Sequence, residues 1–300
     1  MSDKGKINIG TWFVLAAAIL WGTTGTSQAF APAGFDPRVI GAMRLLIGGF
    51  ALLLLASCRR ELGRWQDWSW QTVLLAAAFT ASYQLCFFAA VARTGVAIGT
   101  IVGIGSGPIF GGILGLIFRG ERPGRRWLLA TSMAITGCSL LSLSSGNVEI
   151  DRLGILLAIG AGGSYAAYTL LFKGLLEKHS PNAVMAVVVS IAAVMLSPLL
   201  VYCDINWLLQ PRSIAVVLHL GLATMALSYW FFSRGLQTVP VASAVTLTLA
   251  EPMTASLLGL LVLNEQMNAQ AFTGMGMIFC GLLALVLPLG RRMRYPERDS

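Results

Sequence analysis

Glu251 stands near the middle of a long apolar run, Val239–Leu263. If that run crosses a bilayer, a carboxylate at its centre costs roughly 3 kcal/mol on insertion scales. Such a group faces a protein interior, carries a proton or has a partner. Three roles fit it: recognition of a solute amine, proton linkage, or a neutral, hydrogen-bonded structural glutamate. Pro252 follows at once, and Pro108 holds a similar place in an earlier run beside Gly107. Each proline removes a backbone hydrogen bond and is expected to free the carbonyl four residues earlier, on Thr248 and Ile104.

Aromatic and polar side chains share several other runs. Trp21, Thr24 and Gln28 are spaced by three, four and seven, which keeps them on one helix face. Tyr83, Gln84 and Phe87 cluster in a second run, with Phe88 beside them. Ser164, Tyr165 and Tyr168 occupy a third, and Ser228, Tyr229, Trp230 and Phe231 a fourth. Tyr and Trp far from a membrane interface need an internal hydrogen-bond partner. Singly each could be packing; as a set they suit a cavity for a small amphipathic solute. The trio Trp65, Trp68 and Trp70 reads instead as an interfacial belt.

Arg44 is the basic residue within a run, about two turns from its end. It could snorkel outward, bind a solute carboxylate or pair with Glu251. His179 and His219 are too far apart in sequence to suggest a metal site, and Cys58, Cys86, Cys138, Cys203 and Cys280 show no ligand spacing. Nothing in the sequence calls for a cofactor. Neither G-x-x-x-x-G-K-[ST] nor H-E-x-x-H occurs. An intramembrane enzyme would have to use Ser106 with His219, although Ser106 lacks the G-x-S-x-G frame. The expectation is a protein that is not an enzyme.

The elements that must position these residues are membrane helices. Of 300 residues, 56% are hydrophobic and 11% charged, with mean hydropathy +0.75. A soluble domain carries about 25% charge, so soluble enzymes, nucleic-acid-binding domains and disordered chains drop out. Ten spans are predicted, near Ile9–Phe30, Arg38–Ser57, Gln71–Ala92, Gly95–Phe118, Trp127–Leu143, Leu153–Phe172, Asn182–Cys203, Ser213–Ser233, Val239–Leu263 and Ala269–Leu289. The runs are continuous rather than alternating, which excludes a β-barrel. The first is too long for a signal-peptide core. The fold class is all-α and polytopic.

The net charge of +8 is then an orientation signal. Alternate loops and the two ends carry 16 Lys and Arg, against 4 in the remaining loops. The positive-inside rule places both termini in the cytoplasm. Lys173, Arg93 and Arg234 sit at helix ends and read as anchors.

The chain also repeats itself. A shift of 144 residues pairs Thr80 with Thr224, Phe87-Phe88 with Phe231-Phe232, Pro108 with Pro252, Gly115 with Gly259, Glu121 with Glu265 and Gly137 with Gly281. From Thr80 to Leu143 there are 13 identities in 64 positions, which marks a true repeat. Each half holds five spans. Five is odd, so the second half enters the membrane from the opposite side, an inverted repeat with a solute site expected at midplane between the halves. Proline interruptions at matching positions point to that site. Helix 4 carries glycine at every fourth position from Gly95 to Gly115. That smooth ridge would serve close packing within one subunit, a cavity wall or a homodimer. Its counterpart in the other half places Glu251 where Gly107 stands.

These features resemble the drug/metabolite transporter superfamily, in its branch with two EamA-like domains. The resemblance rests on ten spans in two halves and on P-x6-G-x5-E at the end of the fourth helix of each half: Pro108, Gly115, Glu121 and Pro252, Gly259, Glu265. It covers about residues 10–290. It implies one repeat in 1–145, a second in 146–290 and a basic cytoplasmic tail in 291–300. It also implies that helices 1, 3, 4, 6, 8 and 9 surround a central cavity. The implied function is a secondary transporter of the bacterial inner membrane. It would export amino acids, aromatic and other neutral ones first, or related metabolites or drugs, by alternating access. The partners are a small-molecule substrate and the lipid bilayer, not nucleic acid. Substrate-binding residues would be Trp21, Thr24, Gln28, Tyr83, Gln84, Phe87, Tyr165, Tyr168, Tyr229, Trp230 and Glu251, with Gly107, Pro108 and Pro252 as the helix breaks; Glu251 is not part of the shared pattern, and its role rests on its place in the span alone. Proton antiport and facilitated diffusion both fit these residues.

Overall fold

The computed structural model describes residues 8–32, 35–144, 151–203 and 205–287, and the regular structure among them is entirely helical. The basic tail at 291–300 lies outside them. Ten helices are long and apolar enough to cross a membrane: α1 Ile9–Ala29, α2 Val39–Cys58, α3 Trp70–Gly95, α4 Ile98–Arg119, α5 Arg125–Leu143, α6 Arg152–Leu175, α7 Pro181–Tyr202, α8 Pro211–Thr238, α9 Val241–Val262 and α10 Ala269–Val286. The sequence expectation of ten spans holds. The largest difference is α8, which runs to Thr238, past the expected Ser233. Arg234 is accommodated there because its guanidinium lies 3.7 Å over the Trp230 ring and donates to Asn182 Oδ1 at 3.1 Å.

Helix boundaries follow local chemistry. Asn8, Asp151, Ser180 and Asn268 each accept a hydrogen bond from the first turn they precede. At Gly95 the backbone takes φ 76° and ψ 166° and the chain folds back on itself, so α3 and α4 form an antiparallel hairpin turned at a glycine: a Cβ on Gly99 would lie 2.8 Å from Val91 Cγ2, and one on Gly103 3.4 Å from Phe87 Cδ2. Gly120 (φ 63°) and Asn264 (φ 54°) end α4 and α9 in the left-handed conformation.

The packing is a pseudo-two-fold interlock. α1 packs against α8 and α9, while α6, its counterpart in the second half, packs against α3 and α4. α2 pairs with its own counterpart α7, and α5 with α10. The two halves are thus intertwined rather than side by side. Between α5 and α10, Gly137, Gly274 and Gly281 let backbones meet. A Cβ on Gly137 would lie 2.5 Å from the Gly274 carbonyl oxygen, and one on Gly281 2.7 Å from that of Ala130.

The two helix 4-type prolines behave differently, which corrects the expectation of paired breaks. α4 continues as a helix through Pro108. α9 is interrupted at Thr248–Leu249, between helical pieces Val241–Leu247 and Ala250–Val262. The Thr248 carbonyl is not left free, because Glu251 N–H donates to it at 2.9 Å in a tightened turn.

Candidate solute cavity

One cavity of about 1280 Å³ lies between the halves. Its wall is drawn from α1, α2, α3, α4, α6, α8 and α9. Asp36, Arg93, Ser142 and Leu199, on the loops and helix ends opposite the chain ends, also border it, so it is open toward that face. At this mouth, Arg93 Nη1 donates to Asp151 Oδ2 at 3.2 Å. The Gly154 N–H and then the Arg93 guanidinium hold the Asp151 carboxyl below the ordinary carboxylate range.

Toward the chain ends the cavity is closed by an aromatic floor. Tyr83 lies 5.7 Å from Tyr165 and 6.0 Å from Tyr168 between ring centroids, and Trp21 lies 5.6 Å from Tyr229. Phe172 and Phe232, both fully buried, back this layer. The hydroxyls find partners: Tyr165 Oη donates to Thr248 Oγ1 at 3.0 Å, and Tyr229 Oη approaches Tyr168 Oη at 3.5 Å. These satisfy the polar ends of side chains otherwise packed on apolar surface.

Of the residues singled out in the sequence, Trp21, Thr24, Gln28, Tyr83, Gln84, Phe87, Tyr165, Tyr168, Tyr229, Glu251 and Pro252 all border this cavity. Trp230 does not. It faces away, edge-on to Phe13 and Phe231 and beneath Arg234, because one residue's advance along a helix turns a side chain about 100° from Tyr229. Gly107 and Pro108 also lie outside the wall, buried where α4 meets α9. A Cβ on Gly107 would stand 3.3 Å from Val245 Cγ1 and from Tyr165 Cδ1. Ser106 and His219 do not meet. Ser106 Oγ donates to the Gly103 carbonyl at 3.3 Å, whereas His219 Nε2 sits 2.9 Å from Thr23 Oγ1. The serine–histidine dyad is therefore not formed. Among the described residues no group of His, Cys, Asp and Glu could hold a metal ion.

Arg44 overturns the snorkelling expectation. It is 8% exposed and turned inward on the cavity wall, and its Nη2 donates to the Thr224 carbonyl at 3.2 Å. That carbonyl lies within a π-helical turn of α8, Leu222–Leu227, where the widened ring presents oxygens to a neighbour. Arg44 Nε is buried without a partner. Arg44 and Glu251 border the same cavity yet form no ion pair among the described residues. Sequence reasoning named Thr248 only for its carbonyl and missed its place on the cavity wall, on the Glu251 face three residues earlier. It also missed the mouth residues Phe35 and Asp36, which carry no periodic signal.

Ten interlocked helices, inverted halves and one polar-edged cavity open to a single face define a polytopic membrane protein of the transporter class. The chain belongs to the EamA-like transporter family, whose model matches it twice, at residues 8–143 and 152–287. It is 46% identical over 280 residues to the uncharacterized transporter YwfM of Bacillus subtilis, covering 93% of this chain and 94% of that protein. It is 26% identical over 164 residues to the threonine/homoserine exporter RhtA of Escherichia coli, covering 53% of this chain and 54% of that one. A crystal structure at 17% identity superposes with a TM-score of 0.81 over 93% of this chain and 96% of the other, which establishes the shared fold.

Proposed function

We propose that this transporter exports neutral amino acids, aromatic ones foremost, or closely related small metabolites, by alternating access around the cavity. The observation that carries the reading is the placement of Arg44 and Glu251. One cationic and one acidic group border a single cavity without forming an ion pair, above a floor of Trp21, Tyr83, Tyr165, Tyr168 and Tyr229. A zwitterion with an apolar or aromatic side chain complements that arrangement: carboxylate to Arg44, amine to Glu251, side chain against the rings. The partial likeness to a threonine/homoserine exporter supports amino acids as the class. The loop charge asymmetry supports a bacterial inner membrane location with both chain ends cytoplasmic, so that the cavity would face outward.

Purified protein in liposomes, supplied with labelled amino acids, tests this. Saturable flux of tyrosine, phenylalanine, tryptophan or other neutral amino acids above that of empty liposomes is the expected result. Flux equal to empty liposomes for all of them would remove the amino-acid assignment.

A further inference from the structure

The glutamates that end the two P-x6-G-x5-E motifs occupy equivalent backbone positions but opposite chemical situations. After α4, the Glu121 N–H donates to the Gly115 carbonyl at 3.0 Å. After α9, the Glu265 N–H donates to the Gly259 carbonyl, also at 3.0 Å. Each is a helix-ending turn that folds its carboxylate back over the motif glycine, where a Cβ would collide with Glu121 Oε2 or Glu265 Oε2. That contact explains the glycine of the motif.

Beyond this the two diverge. Glu121 is 7% exposed, and its carboxylate accepts hydrogen bonds from Val241 N–H at 3.1 Å and Ala242 N–H at 3.4 Å. These are the unpaired donors at the start of α9, an electrostatically favourable place for an anion. Beside it, Lys173 Nζ donates to the carbonyls of Leu236 and Val239 at the end of α8. Val245 seats against Gly107 and Gly111 just beyond. This cluster closes the face that carries the chain ends. The Glu265 side chain is exposed, and its carboxylate makes no hydrogen bond or ion pair among the described residues. Its side of the molecule is open: Thr100 and Gly103 of α4 face Ala255 and Ser256 of α9 across the cavity.

The 144-residue offset states what closure there would look like. Val241 and Ala242 correspond to Ala97 and Ile98, at the start of α4 just past the Gly95 bend, and Val245 corresponds to Ile101. Gly107 and Gly111 correspond to Glu251 and Ala255. We infer that Glu121 and Glu265 are reciprocal latches of the transport cycle. Glu121 holds the face of the chain ends shut by capping α9. When it lets go, Glu265 caps the Ala97 and Ile98 N–H groups and holds the opposite face shut, with Ile101 seated at Ala255. The exchange keeps the two states close in free energy, because one set of carboxylate–helix contacts replaces another of the same kind. Both glutamates are positioning residues. This rests on the alternating-access reading, not on the identity of the solute.

Single-cysteine reporters in a background lacking the native cysteines test it. Ser256→Cys borders the open cavity, whereas Ser243→Cys, at a position 6% exposed, becomes accessible only if the other face opens. The labelling rate with a hydrophilic maleimide reports the population of each state, and at position 243 it does so however rare that state is. Glu265→Ala is expected to lower the rate at 243 at least threefold and to maintain or raise it at 256. Glu121→Gln is expected to raise the rate at 243 and lower it at 256. Rates at 243 that stay within twofold of the parent in Glu265→Ala would overturn the proposal. So would a shift in the same direction in both variants. Glu265 is exposed, so its variant keeps the packing intact and decides the matter even if Glu121→Gln unfolds. Reciprocal shifts without amino-acid flux in liposomes would retire the solute assignment and leave the latches. Flux without shifts would do the reverse.

Discussion

Tyr165 Oη donates to Thr248 Oγ1 at 3.0 Å, tying α6 to the place where α9 loses its helical ladder. The bond holds the break directly before Glu251 and closes the cavity floor on one side. Because both groups are buried, Tyr165→Phe leaves Thr248 Oγ1 without this donor, at a cost of about 1 kcal/mol. Thr248→Val should cost the same, and the double variant little more than either. A double-mutant cycle on thermal unfolding measures the coupling; additive losses would show that the bond contributes nothing.

Arg44 should set recognition of the solute carboxylate. Arg44→Gln keeps a donor for the Thr224 carbonyl but removes the charge beside the cavity. The expected result is a KM for amino acids raised about tenfold or more, the scale of a lost charge-assisted hydrogen bond. Competition by the corresponding decarboxylated amines should be unchanged. Equal weakening toward amino acids and amines would reduce Arg44 to a packing role.

Glu251 should show the complementary pattern. Glu251→Gln is close to isosteric and relieves a carboxylate on the cavity wall, so the protein should unfold at the same temperature or higher. Amino-acid flux should fall by about tenfold or more. Unchanged flux at several pH values would make Glu251 structural.

The contact of α5 with α10 predicts a stability effect remote from the cavity. Gly137→Ala places a methyl carbon 2.5 Å from the Gly274 carbonyl oxygen and must push the helices apart. The expected cost is about 1–3 kcal/mol, with a Tm lowered by several degrees. Gly276→Ala, whose Cβ would meet nothing within 4 Å, is the control and should leave Tm unchanged.

His179 stacks on Trp68 with ring centroids 3.9 Å apart and planes inclined by 4°. Partial burial lowers its pKa below the ordinary 6.5, although Asp67 nearby opposes the shift. The unfolded chain then binds the proton more readily than the folded one. The stability conferred by the neutral ring is complete above pH 6.5 and is lost as the pH falls through the lower folded value. Melting curves from pH 8 to pH 5 should fall less for His179→Phe, which keeps the stacking without the titration. Parallel curves for the two proteins would remove His179 from the pH response.

Ten spans, their paired halves and the inward set of aromatics were legible in the sequence because each rests on a local rule. A bilayer demands about 20 apolar residues per helix, a repeat leaves matching residues at a fixed offset, and a polar side chain in an apolar run must face protein. The P-x6-G-x5-E spacing likewise marked the ends of α4 and α9, since the turn that follows each is made by neighbouring residues.

What only the tertiary structure decided depends on which helices meet. Arg44 turns inward because a π-helical turn of α8, 180 residues away, offers it a carbonyl. Trp230 leaves the cavity because α1 and Arg234 occupy its face of α8. Pro108 stays inside a continuous helix while α9 breaks before Pro252, although the two motifs read alike. The sequence made Glu121 and Glu265 equivalent. The fold made one a buried cap and left the other exposed, because an inverted repeat holding a cavity open to one face cannot give both halves the same contacts at once.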